Sequence, residues 1–540
     1  MYKRFLAVFS MILLLFGLLV ARISLLAVTE PLIEAAQQQS ATVLKVAETR
    51  GMIYDRRLRP LTGIETVNIA AVLPNAQSAD VLMRITPIGQ RAELQNKLTQ
   101  MRPFLWEVET ADLYAKGLEV FPVPRRYLDE QPAVHVLGQI DPATGRGASG
   151  LERAYDALLT SAGGTVQMRY ATDALQRGLE TAPPEIMDSG YLSGAGLVLT
   201  LDRDIQALAE AAAKKVESGA IVIMDPYTGD ILASVSAPAY NPNNPADAMN
   251  DNRTPFFNRA FAAYSVGSTF KLLTAATALE SGISPGRTYT CNGAIEVLDQ
   301  TFRCHNLNGH GTLDMSGALN HSCNPYFISL ALEVGGPALA YKAQQLGFGT
   351  RFEAAPGYFT AAGSLPTLQE LVAPAAVANF GFGQGVLSAT PIQIATLVSA
   401  IANGGGAVTP RLVAGTTADG KAITTATATY SPRNVFRETA AQQVKEMMIG
   451  VVEQGSGKNA RPEQGGAGGK TASAQTGQYR DGKEIVHAWF SGFYPAEQPR
   501  YTIVVLAEGG DSGSDAACPI FKEIADGLYE LEKNGSDKSK

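Results

Sequence analysis

Apolar and polar positions divide the chain into three regimes. Lys3 and Arg4 precede an uncharged apolar run from Phe5 to Ala21, Arg22 interrupts it, and Ile23 to Val28 resume it. A run of this length, with an arginine able to snorkel to the interface, predicts a helix that crosses a membrane. It outruns the apolar middle of a cleaved signal peptide and no small-x-small cleavage site follows, so an uncleaved anchor is expected. Positive charge stays inside, which places the bulk of the chain outside the cytoplasm. Glu30 to Lys45, rich in Ala, Gln and Glu, predicts a helix leading away from the membrane. From Arg50 to about Ser189, short strands, turns and short helices alternate without a strong chemical cluster.

A different rhythm begins near Leu197. Val198 to Leu201 predicts a strand leading to Asp202, and Ile205 to Val216 has helical spacing of apolar positions. Ala220 to Asp225 reads as a buried strand, Tyr227 to Asp230 as a turn and Ile231 to Val235 as a second strand. Together they form an antiparallel hairpin that opens a second domain, with the boundary near residue 190. A chain of 540 residues requires more than one domain, and 46% hydrophobic with 18% charged residues is a globular composition. The net charge of −7 argues against nucleic acid as a partner. The polar tail from Lys533 to Lys540 and the Thr/Ala-rich stretch from Ala422 to Tyr430 read as solvated, mobile segments.

Chemistry concentrates in the second domain. Gly267-Ser268-Thr269-Phe270-Lys271 opens a largely buried helix that runs on through Leu279. The i, i+3 spacing puts the Lys271 amine on the face of the Ser268 hydroxyl. A serine becomes a nucleophile when a neighbouring base takes its proton, and burial makes a neutral lysine available as that base. A lone Ser-x-x-Lys is common and carries little weight. Here it is followed by Ser322-Cys323-Asn324 and by Gly469-Lys470-Thr471-Ala472-Ser473 before a strand pair near Trp489 and Tyr501. Gly465 to Thr471 superficially suggests a phosphate-binding loop, but Gln464 stands where the first glycine belongs and no helix is predicted after Thr471.

Taken together, the Ser-x-x-Lys, Ser-x-Asn and Lys-Thr sets resemble those of class B penicillin-binding proteins, the peptidoglycan D,D-transpeptidases. Ala263 to Lys271, Gly383-Gln384-Gly385 with Thr390-Pro391 and Gln393, and His487-Ala488-Trp489-Phe490 are similar to further family segments. Arg50 to Arg56 and Gly150-Leu151-Glu152 resemble its pedestal signatures. The resemblance implies an α+β chain of four parts: a cytoplasmic stub and anchor over 1–28, an elongated pedestal over 29–190, a penicillin-binding/serine β-lactamase-like transpeptidase domain over 191–532 with an antiparallel sheet flanked by helices, and a tail over 533–540.

It also implies roles. Ser268 would be acylated by the penultimate D-alanine of a stem peptide, Lys271 would take its proton, and Ser322 would relay protons. Asn324 would hold the donor amide, Lys470 and Thr471 would meet the terminal carboxylate, and the backbone N–H groups of Ser268 and Ser473 would form an oxyanion hole. β-Lactams would acylate the same serine, no cofactor would be required, and a SEDS-type glycosyltransferase would be the membrane partner. Transfer to water, as in a β-lactamase or D,D-carboxypeptidase, and a non-catalytic scaffold role are the rival expectations. Ala472 departs from the family's glycine, and its methyl points across or away from the cleft depending on register.

The cysteines leave alternatives open. An extracytoplasmic Cys291–Cys304 disulfide, a structural zinc site of Cys291, Cys304, His310 and Cys323, and buried free thiols all fit the spacing.

Overall fold

The computed structural model describes residues 2–27, 40–480 and 482–537. Helix α1, Tyr2–Ala27, carries the apolar run, and its span Tyr2–Leu26 is long and apolar enough to cross a membrane. The chain divides into two compact units.

The first unit takes Met1–Arg50, Gly63–Arg126 and Ser161–Ser193 and holds two three-stranded antiparallel sheets. In one, Thr165–Ala171 lies between Ala41–Glu48 and Glu185–Asp188. In the other, Glu65–Val72 lies between Phe104–Val108 and Leu118–Arg125. The helix expected over Glu30 to Lys45 is corrected here. Ala41 to Lys45 belong to a strand, where β-branched Thr42 and Val43 pair across to Tyr170 and Arg169 of Thr165–Ala171, and 30–39 lie outside the described residues.

The second unit takes Gly51–Thr62, Tyr127–Thr160 and Gly194–Lys540. The Arg50–Arg56 signature has a structural meaning there. Met52–Tyr54 pairs in parallel with Gly196–Leu199, and buried Asp55 accepts hydrogen bonds from the backbone of Arg57 and Arg59 and pairs with the Arg59 guanidinium. Arg59 also reaches Asp202, whose side chain caps the helix Arg203–Ala213.

The unit is organised on a five-stranded antiparallel sheet built from β1 Gly219–Met224, β2 Ile231–Ala237, β3 Gly468–Arg480, β4 Lys483–Tyr494 and β5 Tyr501–Glu508, in the order β2-β1-β5-β4-β3. Alternate residues enter two different cores. Val222, Val504 and Leu506 join one cluster, and Ile221, Ile503 and Val505 join the other, which is why β1 reads as an unbroken apolar run. The helices used below are α2 Lys271–Glu280, α3 Asn324–Val334, α4 Pro391–Ala402, α5 Glu438–Glu453 and α6 Cys518–Asp537. α4 is buried along its whole length. Its Thr390-Pro391-x-Gln393 start is a capping box in which Thr390 Oγ1 accepts from the Gln393 N–H while Gln393 Oε1 accepts from the Thr390 N–H.

Part of each segment expected to be mobile has regular structure: Ile423–Ala426 is an exposed strand that pairs antiparallel with Val413–Thr417, and α6 runs on to Asp537, while 538–540 lie outside the described residues.

Phe270, between Ser268 and Lys271 in sequence, is fully buried and packs on Phe348 and Phe380 at ring-centroid distances of 5.9 and 4.7 Å. Phe270→Ala is expected to cost about 3–5 kcal/mol, read as a lower urea midpoint with unchanged slope.

Candidate active site

The site is built on a sharp entry into α2. Gly267–Phe270 is a single 3₁₀ turn that passes directly into α2 at Lys271. In such a turn residues i and i+3 eclipse, so half-buried Ser268 and fully buried Lys271 project to the same side. Gly267 has φ +54, and a methyl built on it would approach the Ala474 Cβ to 3.1 Å. Gly383, with φ +88, closes over the same turn, where a methyl would fall 1.8 Å from the Gly267 carbonyl oxygen. That contact explains the first glycine of Gly383-Gln384-Gly385.

Three segments distant in sequence meet at Ser322. Lys271 Nζ donates to the Ser322 carbonyl oxygen at 2.7 Å, to Ser322 Oγ at 3.2 Å and to Asn324 Oδ1 at 2.7 Å. Lys470, on the edge strand β3, donates from Nζ to Ser322 Oγ at 2.9 Å and to the Thr471 carbonyl oxygen at 2.9 Å. The structure therefore brings Lys271, Ser322, Asn324, Lys470 and Thr471 to one place, with Ser268 on the turn that leads into Lys271. Ser322 holds φ +52, a left-handed conformation uncommon for a non-glycine residue and a form of strain that collects at functional sites. Asn324, the first residue of α3, also donates from Nδ2 to the Arg303 carbonyl oxygen at 3.3 Å.

Burial dominates the electrostatics. It pushes the Lys271 amine down to about 7 from an ordinary value of 10.5. Lys470 is also pushed down, first by burial and then by the charge of Lys271. The Lys271 ammonium lies 5.6 Å from the Phe327 ring centroid, a weak cation–π contact. A neutral Lys271 can keep its two 2.7 Å bonds and release the longer one, which frees a lone pair.

The β3 segment is strand to Arg480, as its lack of helical pattern implied. Lys470, Ala472 and Ala474 share one face, and the Ala472 methyl sits in the core against the nucleophile turn, 3.5 Å from where a Gly267 methyl would be. Ser473 is exposed, and its Oγ accepts from the Gly513 N–H at 3.2 Å.

Two features escaped the motif reading. Ser456 Oγ lies 2.7 Å from Thr471 Oγ1, and only the small Gly455-Ser456-Gly457 loop hints at it. Buried Arg259 and Tyr264 form a network with the half-buried Glu508, signalled by no spacing at all.

All four cysteines are buried free thiols in this structure. The ligand atoms of Cys291, Cys304, His310 and Cys323 nevertheless lie within 4.8 Å of one another, with Cys304 Sγ 3.6 Å from His310 Nδ1. His305 and His321 flank the His310 ring at centroid distances of 5.1 and 5.4 Å. Cys518 stands apart at the start of α6.

Residues 219–526 match the family described as "Penicillin binding protein transpeptidase domain". Among curated relatives, the chain is 32% identical over 526 residues to stage V sporulation protein D of Bacillus subtilis, covering 92% of this chain and 77% of the relative. It is 28% identical over 506 residues to the peptidoglycan D,D-transpeptidase PbpA of Mycolicibacterium smegmatis, covering 86% of this chain and 97% of that one. Among solved structures, the penicillin-binding protein of Helicobacter pylori in complex with MreC is similar at TM-score 0.65 and 25% identity, covering 91% of this chain and 99% of that chain.

Proposed function

The chain belongs to the penicillin-binding protein transpeptidase family, and on that premise we propose that it is a membrane-anchored peptidoglycan D,D-transpeptidase that cross-links stem peptides through an acyl-enzyme on Ser268. The observation that carries the reading is the meeting of Lys271 and Lys470 at Ser322 Oγ beside the Ser268 turn.

Ser268 Oγ attacks the carbonyl carbon of the penultimate D-alanine as neutral Lys271 takes its proton. The C–N bond then breaks, and the terminal D-alanine leaves as an amine that gains a proton through Ser322. Backbone N–H groups of Ser268 and Ser473 hold the tetrahedral oxyanion, a contribution of roughly 3 kcal/mol per donor. Lys470 and Thr471 receive the donor's carboxylate, and Asn324 holds its amide. A second stem peptide's amine attacks the ester, gives up its proton by the same route and restores the Ser268 hydroxyl. The names of the relatives support an amine acceptor over water and a catalytic role over a purely structural one. β-Lactams acylate the same serine. The apolar α1 supports a single-pass anchor with the second unit outside the cytoplasm, and the SEDS-type glycosyltransferase partner rests on the family resemblance alone.

The reading also includes a structural zinc ion on Cys291, Cys304, His310 and Cys323. Bonds of 2.0–2.3 Å in a tetrahedron imply ligand separations of roughly 3.3–3.8 Å, so a small contraction of the present set suffices. Serine chemistry needs no open ligand position, so a closed site suits a role in bracing Cys323, which stands between Ser322 and Asn324.

Three outcomes are expected. A fluorescent penicillin added to the full-length chain in detergent leaves a long-lived adduct on Ser268 by mass spectrometry, and Ser268→Ala leaves none; fast hydrolysis of the drug would instead identify a β-lactamase. The acylation rate rises about tenfold per pH unit up to about 7 and then levels, because Lys271 must be neutral to accept the proton. A rate that is flat between pH 5 and 8 removes Lys271 as the base. Elemental analysis finds about one zinc per chain, lost in Cys304→Ser; a metal-free wild type refutes the zinc site.

A further inference from the structure

The segment that delivers Ser268 is weakly held by its own backbone. Tyr264–Ser265 pairs with Ser388–Ala389 over two residues only, and a ladder that short contributes little stability. Side chains do the holding. The Tyr264 ring stands edge-on to His487 and Trp489 of β4, at centroid distances of 5.2 and 6.3 Å. Trp489 Nε1 donates to the Ser265 carbonyl oxygen at 3.1 Å. Gly267 then lies against Ala472 and Ala474 of β3. From Tyr264 to Gly267 the chain is thus laid over β4 and over β3, the strand that carries Lys470, Thr471 and Ser473.

At the far end of this seam sits Glu508, the last residue of β5, in register with His487, which is in register with Ala474. One carboxylate oxygen accepts from the Tyr264 hydroxyl at 2.7 Å, and the other accepts from Arg259 Nε at 2.9 Å. Arg259 is 3% exposed, and its remaining donors go to the carbonyl oxygens of Arg253 and Thr254 and to Thr254 Oγ1. Removing such an ion pair from water is costly, and packed apolar side chains would hold the segment as firmly. The pair adds direction: Arg259 fixes one oxygen of Glu508, so that the other is aimed at Tyr264.

We propose that Glu508, aimed by Arg259, is a positioning residue that latches Tyr264 and thereby sets the distance between the backbone N–H of Ser268 and that of Ser473, the two arms of the oxyanion hole. The inference rests on the reading that Ser268 is acylated. The latch acts only where the carbonyl becomes tetrahedral, because the noncovalent complex draws on Asn324, Lys470 and Thr471, which the latch does not touch.

The test uses the full-length chain in detergent. Tyr264→Phe removes one hydroxyl and keeps the ring between His487 and Trp489, so folding is preserved. Its acylation rate constant with a fluorescent penicillin falls about tenfold, in line with the sensitivity of positioned reactions to small displacements. The noncovalent dissociation constant of the same penicillin and the melting temperature are unchanged. A peptidyl boronic acid, which forms a tetrahedral adduct with Ser268 Oγ, loses affinity by the same factor as the rate. Glu508→Gln offers a single oxygen to the two donors Arg259 and Tyr264, so its rate falls to between wild type and Tyr264→Phe, whereas Glu508→Ala matches or exceeds the loss in Tyr264→Phe. A Tyr264→Phe protein that acylates at the wild-type rate overturns the latch and leaves the transpeptidase reading standing. So does a loss that appears equally in noncovalent affinity. A wild-type chain that forms no Ser268 adduct overturns the functional reading and the latch with it.

Discussion

Lys271 and Lys470 both donate to a single hydroxyl, Ser322 Oγ, from fully buried positions and without a carboxylate partner among the described residues. Two ammonium groups in that setting lose their hydration and repel each other, so both are pushed down from their ordinary values and a proton is given up more readily. The neutral amine that nucleophile activation needs therefore follows from how the unit is packed. Carbonyl oxygens of Ser322 and Thr471 and the amide of Asn324 satisfy the donors without adding a negative charge that would restore the proton. An aspartate at 324 would defeat the design, since a carboxylate would hold Lys271 charged.

Holding two reluctant cations against one serine takes a rigid frame, and the rest of the second unit supplies it. The five-stranded sheet is buried on both faces, which fixes the edge strand carrying Lys470, while α2 is buried from Lys271 to Leu279. Ser322 must adopt φ +52 to bring both its carbonyl and its hydroxyl to Lys271, a strained backbone held between a short helix and α3.

Short-range chemistry was legible in the sequence, and long-range contact was not. The spacing of Ser268 and Lys271 and the β1–β2 hairpin follow from local periodicity, which sequence displays directly, whereas for 468–480 the pattern showed only that a helix does not form. Ala41 to Lys45 misled because an Ala/Gln/Glu-rich run before it favours helix, while strand pairing with Thr165–Ala171 decides the outcome. Ser456 meets Thr471 across fifteen positions and Glu508 meets Tyr264 across more than two hundred, and neither contact leaves a periodic trace. Thr390-Pro391-x-Gln393 was visible as a family segment, yet its physical content, a capping box on a wholly buried helix, emerged only with the structure.

Ala472 shows how a departure from a motif is absorbed. Strand parity puts it on the face of Lys470 and Ala474, and parity alone leaves open whether that face looks at ligand or at core. The docking of Gly267 decides it: the alanine methyl fills space beneath the nucleophile turn, 3.5 Å from where a side chain on Gly267 would begin. The methyl and the missing side chain are thus complementary, and the extra carbon lies in the packed seam between β3 and the Ser268 turn. The same seam is held by Trp489 at Ser265 and by Glu508 at Tyr264. A family position usually occupied by glycine has here become part of the packing between β3 and the turn that carries Ser268.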